Sequence, residues 1–168
     1  VTVDPGQVVV VMQSFKYLDS ETRTYNVEGS SFVFAGSYNQ VVPSMTYDSL
    51  LLYNSNIKTL AGDIQVTDVL NIASGCTLSP GTKTITLSGC NEDGVVIDYE
   101  GNFIPGTSTV KYVGACNQIV APMPYYNLNV DAPSISTETR TFSPKDIIGI
   151  AGTFTIDPTL TNTVAYTT

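Results

Sequence analysis

The chain has 168 residues and a formal net charge of −8, with 7 Lys and Arg against 15 Asp and Glu and no His. That length suits one domain able to bury a core. The basic residues (Lys16, Arg23, Lys58, Lys83, Lys111, Arg140, Lys145) are scattered singly, which argues against neutralising a phosphate backbone and excludes nucleic acid as a partner; no apolar run approaches the roughly 20 residues of a membrane span.

In chain order, residues 1–12 read as a hairpin: Val1-Thr2-Val3, a turn at Asp4-Pro5-Gly6, then a second strand. That second strand holds consecutive apolar residues, Val8, Val9, Val10, Val11 and Met12, so both of its faces are expected to be covered. It suits either a cap or an assembly strand, lent to a neighbouring subunit or stacked upon by one. The chain opens on Val1 without a charged leader, as expected of a processed, exported form. Residues 14–29 are polar and irregular, with a turn at Asp19-Ser20-Glu21.

Beyond residue 29 the chain repeats itself at an offset of 78. Residues 31–42 (SFVFAGSYNQVV) align without a gap on 109–120 (TVKYVGACNQIV), matching Gly36 with Gly114 and Asn39-Gln40 with Asn117-Gln118. The same register pairs Met45 with Met123, Tyr47 with Tyr125, Leu50 with Leu128, Ile57 with Ile135, Ala73 with Ala151 and Pro80 with Pro158. Inside it lies a shorter repeat at an offset of 25, 78–89 (LSPGTKTITLSG) on 103–114 (FIPGTSTVKYVG). Each short copy is a Pro-Gly turn, an alternating strand and a closing Gly. The echo of 21–25 (ETRTY) in 138–142 (ETRTF) fits neither offset cleanly.

One short unit reads as one coil of a β-solenoid, three such coils nearly filling the long period and about six filling the chain. Val, Ile, Thr and Tyr recur while helix-forming runs are missing, so the fold is expected to be all-β. The chain divides into an N-terminal strand or assembly segment (1–29), a first long repeat (30–107) and a second, truncated one (108–168), all within a single domain. The runner-up is an antiparallel β-sandwich, pilin-like, with its N-terminal strand donated to a neighbour. The two differ in whether strands one short repeat apart pair in parallel.

The spacing from Cys90 to Cys116 is close to one coil, and each comes shortly after a strand-closing Gly. Coils stack about 4.8 Å apart, near the Cα separation of a disulfide. Cys76–Cys90 is a competing bridge, and buried free thiols are the third reading. With no CxxC and no His, neither a metal nor another cofactor is expected.

The succession FIPGTSTVKYVG (103–114), then Asn117-Gln118-Ile119-Val120, then Tyr125-Tyr126-Asn127-Leu128-Asn129-Val130 resembles the β-strand repeats of large bacterial surface and secreted β-helix proteins. The likeness is close over 103–130, looser over 31–53 and 76–89, and absent from 1–29. It implies a right-handed parallel β-helix serving as an extracellular scaffold or adhesin, without catalytic residues. Arrays of that family are commonly much longer.

Catalysis is not expected. The absence of His removes the Ser-His-Asp and Cys-His arrangements. Carboxylate pairs for a glycosidase would be Asp63 with Asp68, or Glu92 and Asp93 with Asp98, and each reads better as a solvated turn or face. Asn91, Glu92 and Asp93 are a weaker candidate for Ca²⁺. The alternative function is a surface- or glycan-binding adhesin module, with Tyr47, Tyr53, Tyr125 and Tyr126 stacking on sugar rings. The expectation that explains more is a structural, extracellular subunit joined to other copies of itself as a fibre. Its terminal strands, 7–12 and 163–168 with Val164 and Tyr166, carry no charged side chain to discourage strand addition.

Overall fold

The computed structural model describes residues 3–15, 27–131, 139–142 and 147–156. Its strands open with β1 (Val8–Val11), β2 (Ser31–Phe34), β3 (Gln40–Val42), β4 (Thr46–Tyr47), β5 (Ser49–Leu52) and β6 (Ile57–Leu60). Next come β7 (Ile64–Val66), β8 (Leu70–Ile72), β9 (Thr77–Ser79), β10 (Thr84–Leu87), β11 (Ile97–Tyr99) and β12 (Asn102–Phe103). The last are β13 (Thr109–Tyr112), β14 (Gln118–Val120), β15 (Asn127–Val130), β16 (Arg140–Phe142) and β17 (Phe154–Ile156). None of the described residues is helical, so among them no helix is long and apolar enough to cross a membrane.

The strands wind into a three-faced parallel β-solenoid of about six turns. Face one stacks β1, β2, β5, β8 and β11 in that order, and the parallel Val95–Ile119 bridge carries it on to β14 and β16. Face two stacks β3, β6, β9 and β12, with the Tyr125–Ile150 bridge holding the corresponding place later in the coil. Face three stacks β4, β7, β10, β13, β15 and β17. Every pairing among the described strands is parallel, which removes the antiparallel sandwich.

Alternation explains the interior. In a strand successive side chains point to opposite faces, and the inward set here forms continuous ladders. On face one Phe32, Leu50 and Leu70 stand in register, as do Phe34, Leu52 and Ile72, all buried. On face three Ile64, Ile85, Val110 and Leu128 do the same. Near the N-terminal end Phe15, Phe32 and Tyr47 meet edge to face, with ring centroids 6.2 and 5.5 Å apart.

The two sequence offsets have different meanings. The shorter one is a single turn: Leu78 pairs with Phe103, and Thr84 with Thr109. The Pro-Gly corners of these turns stack, with Thr107 N–H donating to Gly81 C=O at 2.8 Å. Both glycines need a positive φ there, 69° at Gly81 and 57° at Gly106. Other turns vary, because the corners differ in length. The step from Ser31 to its partner Ser49 is shorter than that from Leu50 to Leu70, and the step from Leu70 to Ile97 is longer than either. The longer offset is not a whole number of turns, contrary to the expected three. From β2 the chain returns to face one three times (β5, β8, β11) and then runs two faces further to β13. The same short turn, Ser31 to Ser49 and Thr109 to Asn127, is therefore built once from face one and once from face three.

The N-terminal hairpin is also corrected. The described partner of β1 is β2, in parallel, with Val8 opposite Ser31 and Val11 opposite Phe34. Nor are both faces of β1 covered. Val11 is buried, whereas Val8 and Val10 are 59% and 54% exposed, because they point outward on the first strand of the face. The second expected assembly strand, with Val164 and Tyr166, lies outside the described residues, as do Ile135 and Pro158 of the long repeat.

Candidate functional site

The chemistry-bearing side chains gather at one corner of the coil, which occurs twice. In the first copy Gly36 N–H donates to Gln40 Oε1 at 2.9 Å. Gln40 Nε2 donates back to the preceding turn, to Val11 C=O at 2.9 Å and Gln13 C=O at 3.2 Å. In the second copy Gly114 N–H donates to Gln118 Oε1 at 3.1 Å, and Gln118 Nε2 reaches Leu87 C=O at 3.3 Å and Gly89 C=O at 2.9 Å. The glycines are required by space. A Cβ at Gly36 would collide with Met12 C=O, and one at Gly114 would lie 2.7 Å from Gly89 C=O. The preceding Asn faces the following turn, Asn39 Oδ1 accepting Ile57 N–H at 3.1 Å and Asn117 Oδ1 accepting Thr139 N–H at 2.9 Å.

A buried cation completes each corner from the next turn, in register with the Gln: Lys58 opposite Gln40 and Arg140 opposite Gln118. Lys58 Nζ donates to Gln40 Oε1 at 2.7 Å and Gly36 C=O at 3.3 Å. Arg140 donates to the carbonyls of Cys116 at 2.6 Å, Gly114 at 2.7 Å and Asp131 at 2.7 Å. Carbonyl dipoles thus replace water around both charges. Burial lowers the pKa of Lys58, the neighbouring Cys76 partly offsetting it. Burial raises the Cys76 thiol, against the pull of Lys58 and the Thr77 amide. Composition alone hid these two cations among scattered charges. Strand alternation marks them, since Lys58 shares the parity of buried Leu60, and Arg140 that of half-buried Phe142.

Cys90 and Cys116 are joined by a disulfide across adjacent turns, with Cα atoms 5.6 Å apart, and Cys76 is a buried free thiol. The bridge sits beside the second corner, whose Cys116 carbonyl holds Arg140.

Of the four tyrosines expected to meet sugars, the structure removes two. Tyr47 and Tyr125 are buried, and each hydroxyl donates to the carbonyl four residues back, Pro43 at 2.8 Å and Ala121 at 2.8 Å. Tyr112 supports the second of these: its hydroxyl lies 2.9 Å from that of Tyr125 and accepts Ala121 N–H at 3.0 Å. Burial pushes Tyr112 up to about 12 and Tyr125 well above 10. Tyr53 is exposed and Tyr126 half-buried.

The carboxylates are tied into turns. Asp63 and Asp68 flank opposite ends of β7, Asp63 accepting Thr84 N–H at 2.8 Å and Asp68 accepting the Ser49 hydroxyl at 2.5 Å. Asp98 accepts from Asn71 at 2.6 Å. Asp93 accepts Val95 N–H at 3.0 Å while Asn91 donates to Val95 C=O at 2.8 Å, closing the turn considered for Ca²⁺. Among the described residues no group of three or more Cys, Asp or Glu is placed to hold a metal.

The two ends of the coil are the remaining feature. At the N-terminal end β1 pairs with β2 and with no other described strand. At the other end Phe154 and Ile156 of β17 stand in register with buried Leu128 and Val130, yet are 44% and 41% exposed. They continue the core ladder to where the described solenoid stops. Compared with family models, curated proteins and solved structures, the chain matches none.

Proposed function

We propose that this protein is a non-catalytic structural subunit that joins other copies of itself head to tail into an extracellular filament. The observation that carries the reading is the end of the described solenoid at β17, where Phe154 and Ile156 stand in register with the core ladder yet are 44% and 41% exposed. A solenoid needs its terminal turns capped, since an open turn leaves both a core and a row of backbone groups unmet. β1 pairs with no described strand other than β2, and it carries Val8 and Val10 outward and no charge along its length. Heterologous contacts of this kind give open filaments in place of closed dimers. The Cys90–Cys116 disulfide favours an oxidising compartment, and therefore a secreted or surface location. The resemblance of 103–130 to repeats of bacterial surface β-helix proteins points the same way.

The test is negative-stain electron microscopy with sedimentation velocity, on the protein and on a Val8→Lys/Val10→Lys variant. Both side chains point outward, so the variant should fold while its edge repels a partner. Long filaments of uniform width for the protein, and single rods for the variant, are expected. Single rods for the unmodified protein over a hundredfold concentration range would overturn the reading.

A further inference from the structure

Resting on that reading, we infer that β1 stays in its own fold during assembly, and that its open edge receives the C-terminal edge of a second copy of this chain. The interaction is stacking, not strand donation. β1 is held by four in-register pairs with β2. It is also clamped by Gln40, which bonds Val11 and Gln13 while being held in turn by Lys58. At its start Gly6 N–H donates to Gly29 C=O at 2.6 Å, and Gly29 packs on Pro5. Withdrawing β1 would uncover Phe32 and Phe34 and take the Val11 carbonyl from the Gln40 amide.

The backbone polarity selects the occupant. Ser31 N–H donates to Gln7 C=O and Ala35 N–H to Val11 C=O, so alternation turns the N–H and C=O groups of Val8 and Val10 to the edge that no other described strand covers. At the other end Gln118 N–H donates to Thr139 C=O and Leu128 N–H to Thr153 C=O. That leaves the groups of Phe142, Phe154 and Ile156 pointing away from the described strands they pair with. Within the rod, each junction joins groups of inward-facing residues on one turn to groups of outward-facing residues on the next. A C-terminal edge meeting β1 reproduces that junction in its backbone groups, with strands parallel. Two N-terminal ends meeting each other do not.

The second corner supplies the experiment. Cys90 lies three residues after Leu87 of β10, and Ser14 three after Val11 of β1; Cys116 lies four after Tyr112, and Tyr38 four after Phe34. Ser14 and Tyr38 therefore hold at the first corner the sequence places that Cys90 and Cys116 hold at the second. In a Ser14→Cys/Tyr38→Cys variant, oxidation locks β1 to its own subunit, verified by mass spectrometry. Filaments as abundant as those of the unmodified protein are expected from the locked variant. Loss of filaments on oxidation, restored by reducing this variant, would overturn the inference and establish donation. A second variant guards against failure to lock: Val10→Pro deletes an N–H of the open edge and none of the β1–β2 ladder. It should lose filaments at an unchanged thermal midpoint, and filaments at the original level would also overturn stacking. If the unmodified protein forms no filaments at all, the assembly reading falls first and takes this inference with it.

Discussion

Lys58 Nζ lies 2.7 Å from Gln40 Oε1 on the turn before it, and both side chains are buried. The pair is a rung of polar chemistry inside an otherwise apolar ladder, with Leu78 and Phe103 following in register on face two. Its cost and its worth are separable by mutation.

Gln40→Leu would take from the Lys58 ammonium the nearer of its two acceptors, and from the Gly36 amide and the Val11 and Gln13 carbonyls their Gln40 partner. Losing a buried hydrogen bond to a charged group costs about 1.5–3 kcal/mol. Replacing both partners by apolar residues costs far less, so Gln40→Leu/Lys58→Met should be more stable than Gln40→Leu alone. Urea unfolding of the two single variants and the double closes the cycle, and additive effects would dissolve the rung as a unit.

Alkaline pH separates Lys58 from Cys76. The Lys58 pKa is lowered from 10.5, so below that pH the unfolded chain binds more protons and stability rises with pH. The Cys76 pKa is raised from 9.0, so above that pH the unfolded chain binds fewer and stability falls. A Cys76→Ala variant removes the falling contribution. Between about pH 9 and 10 its stability should climb relative to the unmodified protein in urea unfolding; parallel curves would show that the thiol does not titrate against the fold.

The tyrosine pair sets a further alkaline limit. Tyr112 is pushed from 10.0 up to about 12, so its share of stability is intact below pH 10 and lost as pH rises through 12. Two pH units correspond to about 3 kcal/mol. Tyrosinate absorbance should show Tyr112 and Tyr125 ionising only as the protein unfolds. Tyr112→Phe should flatten the alkaline loss while costing about 1 kcal/mol at neutral pH through its hydrogen bonds.

Replacing Cys90 and Cys116 by Ser opens a loop whose ends are 26 apart in sequence. Loop-closure entropy puts the loss at about 3.5 kcal/mol. Because Cys116 C=O also holds Arg140, amide exchange should accelerate first in β14 and β16, before β5 and β8. Uniform acceleration along the rod would show that the bridge does not act on that corner.

How much of this was legible varies by residue. The Pro-Gly corners at 80–81 and 105–106 read as one coil apart, because the corner and the strands on both sides of it recur at one offset, Leu78 to Phe103 and Thr84 to Thr109. The long repeat was visible but its meaning was not, since face identity depends on summed corner lengths that no local pattern announces. The step from Gln118 to Arg140 is longer than that from Gln40 to Lys58, so a gapless comparison sets Lys58 against Ser136 and loses the matching cation. Tyr47 and Tyr125 misled because a tyrosine near a strand start reads alike inside and out. The acceptor four residues back decides, and it is a backbone carbonyl. The valine run of β1 looked doubly covered because a first strand on an open edge shares that pattern.

The long repeat unit advances two faces beyond its whole turns, which sets the symmetry of any longer array of such units. Each added copy would present its outward side chains one-third of a revolution away from the last, and every third copy would realign. Surface features borne by the unit would trace a screw around the rod in place of a straight stripe, so a ligand recognising one copy would meet its next identical site on another side of the shaft.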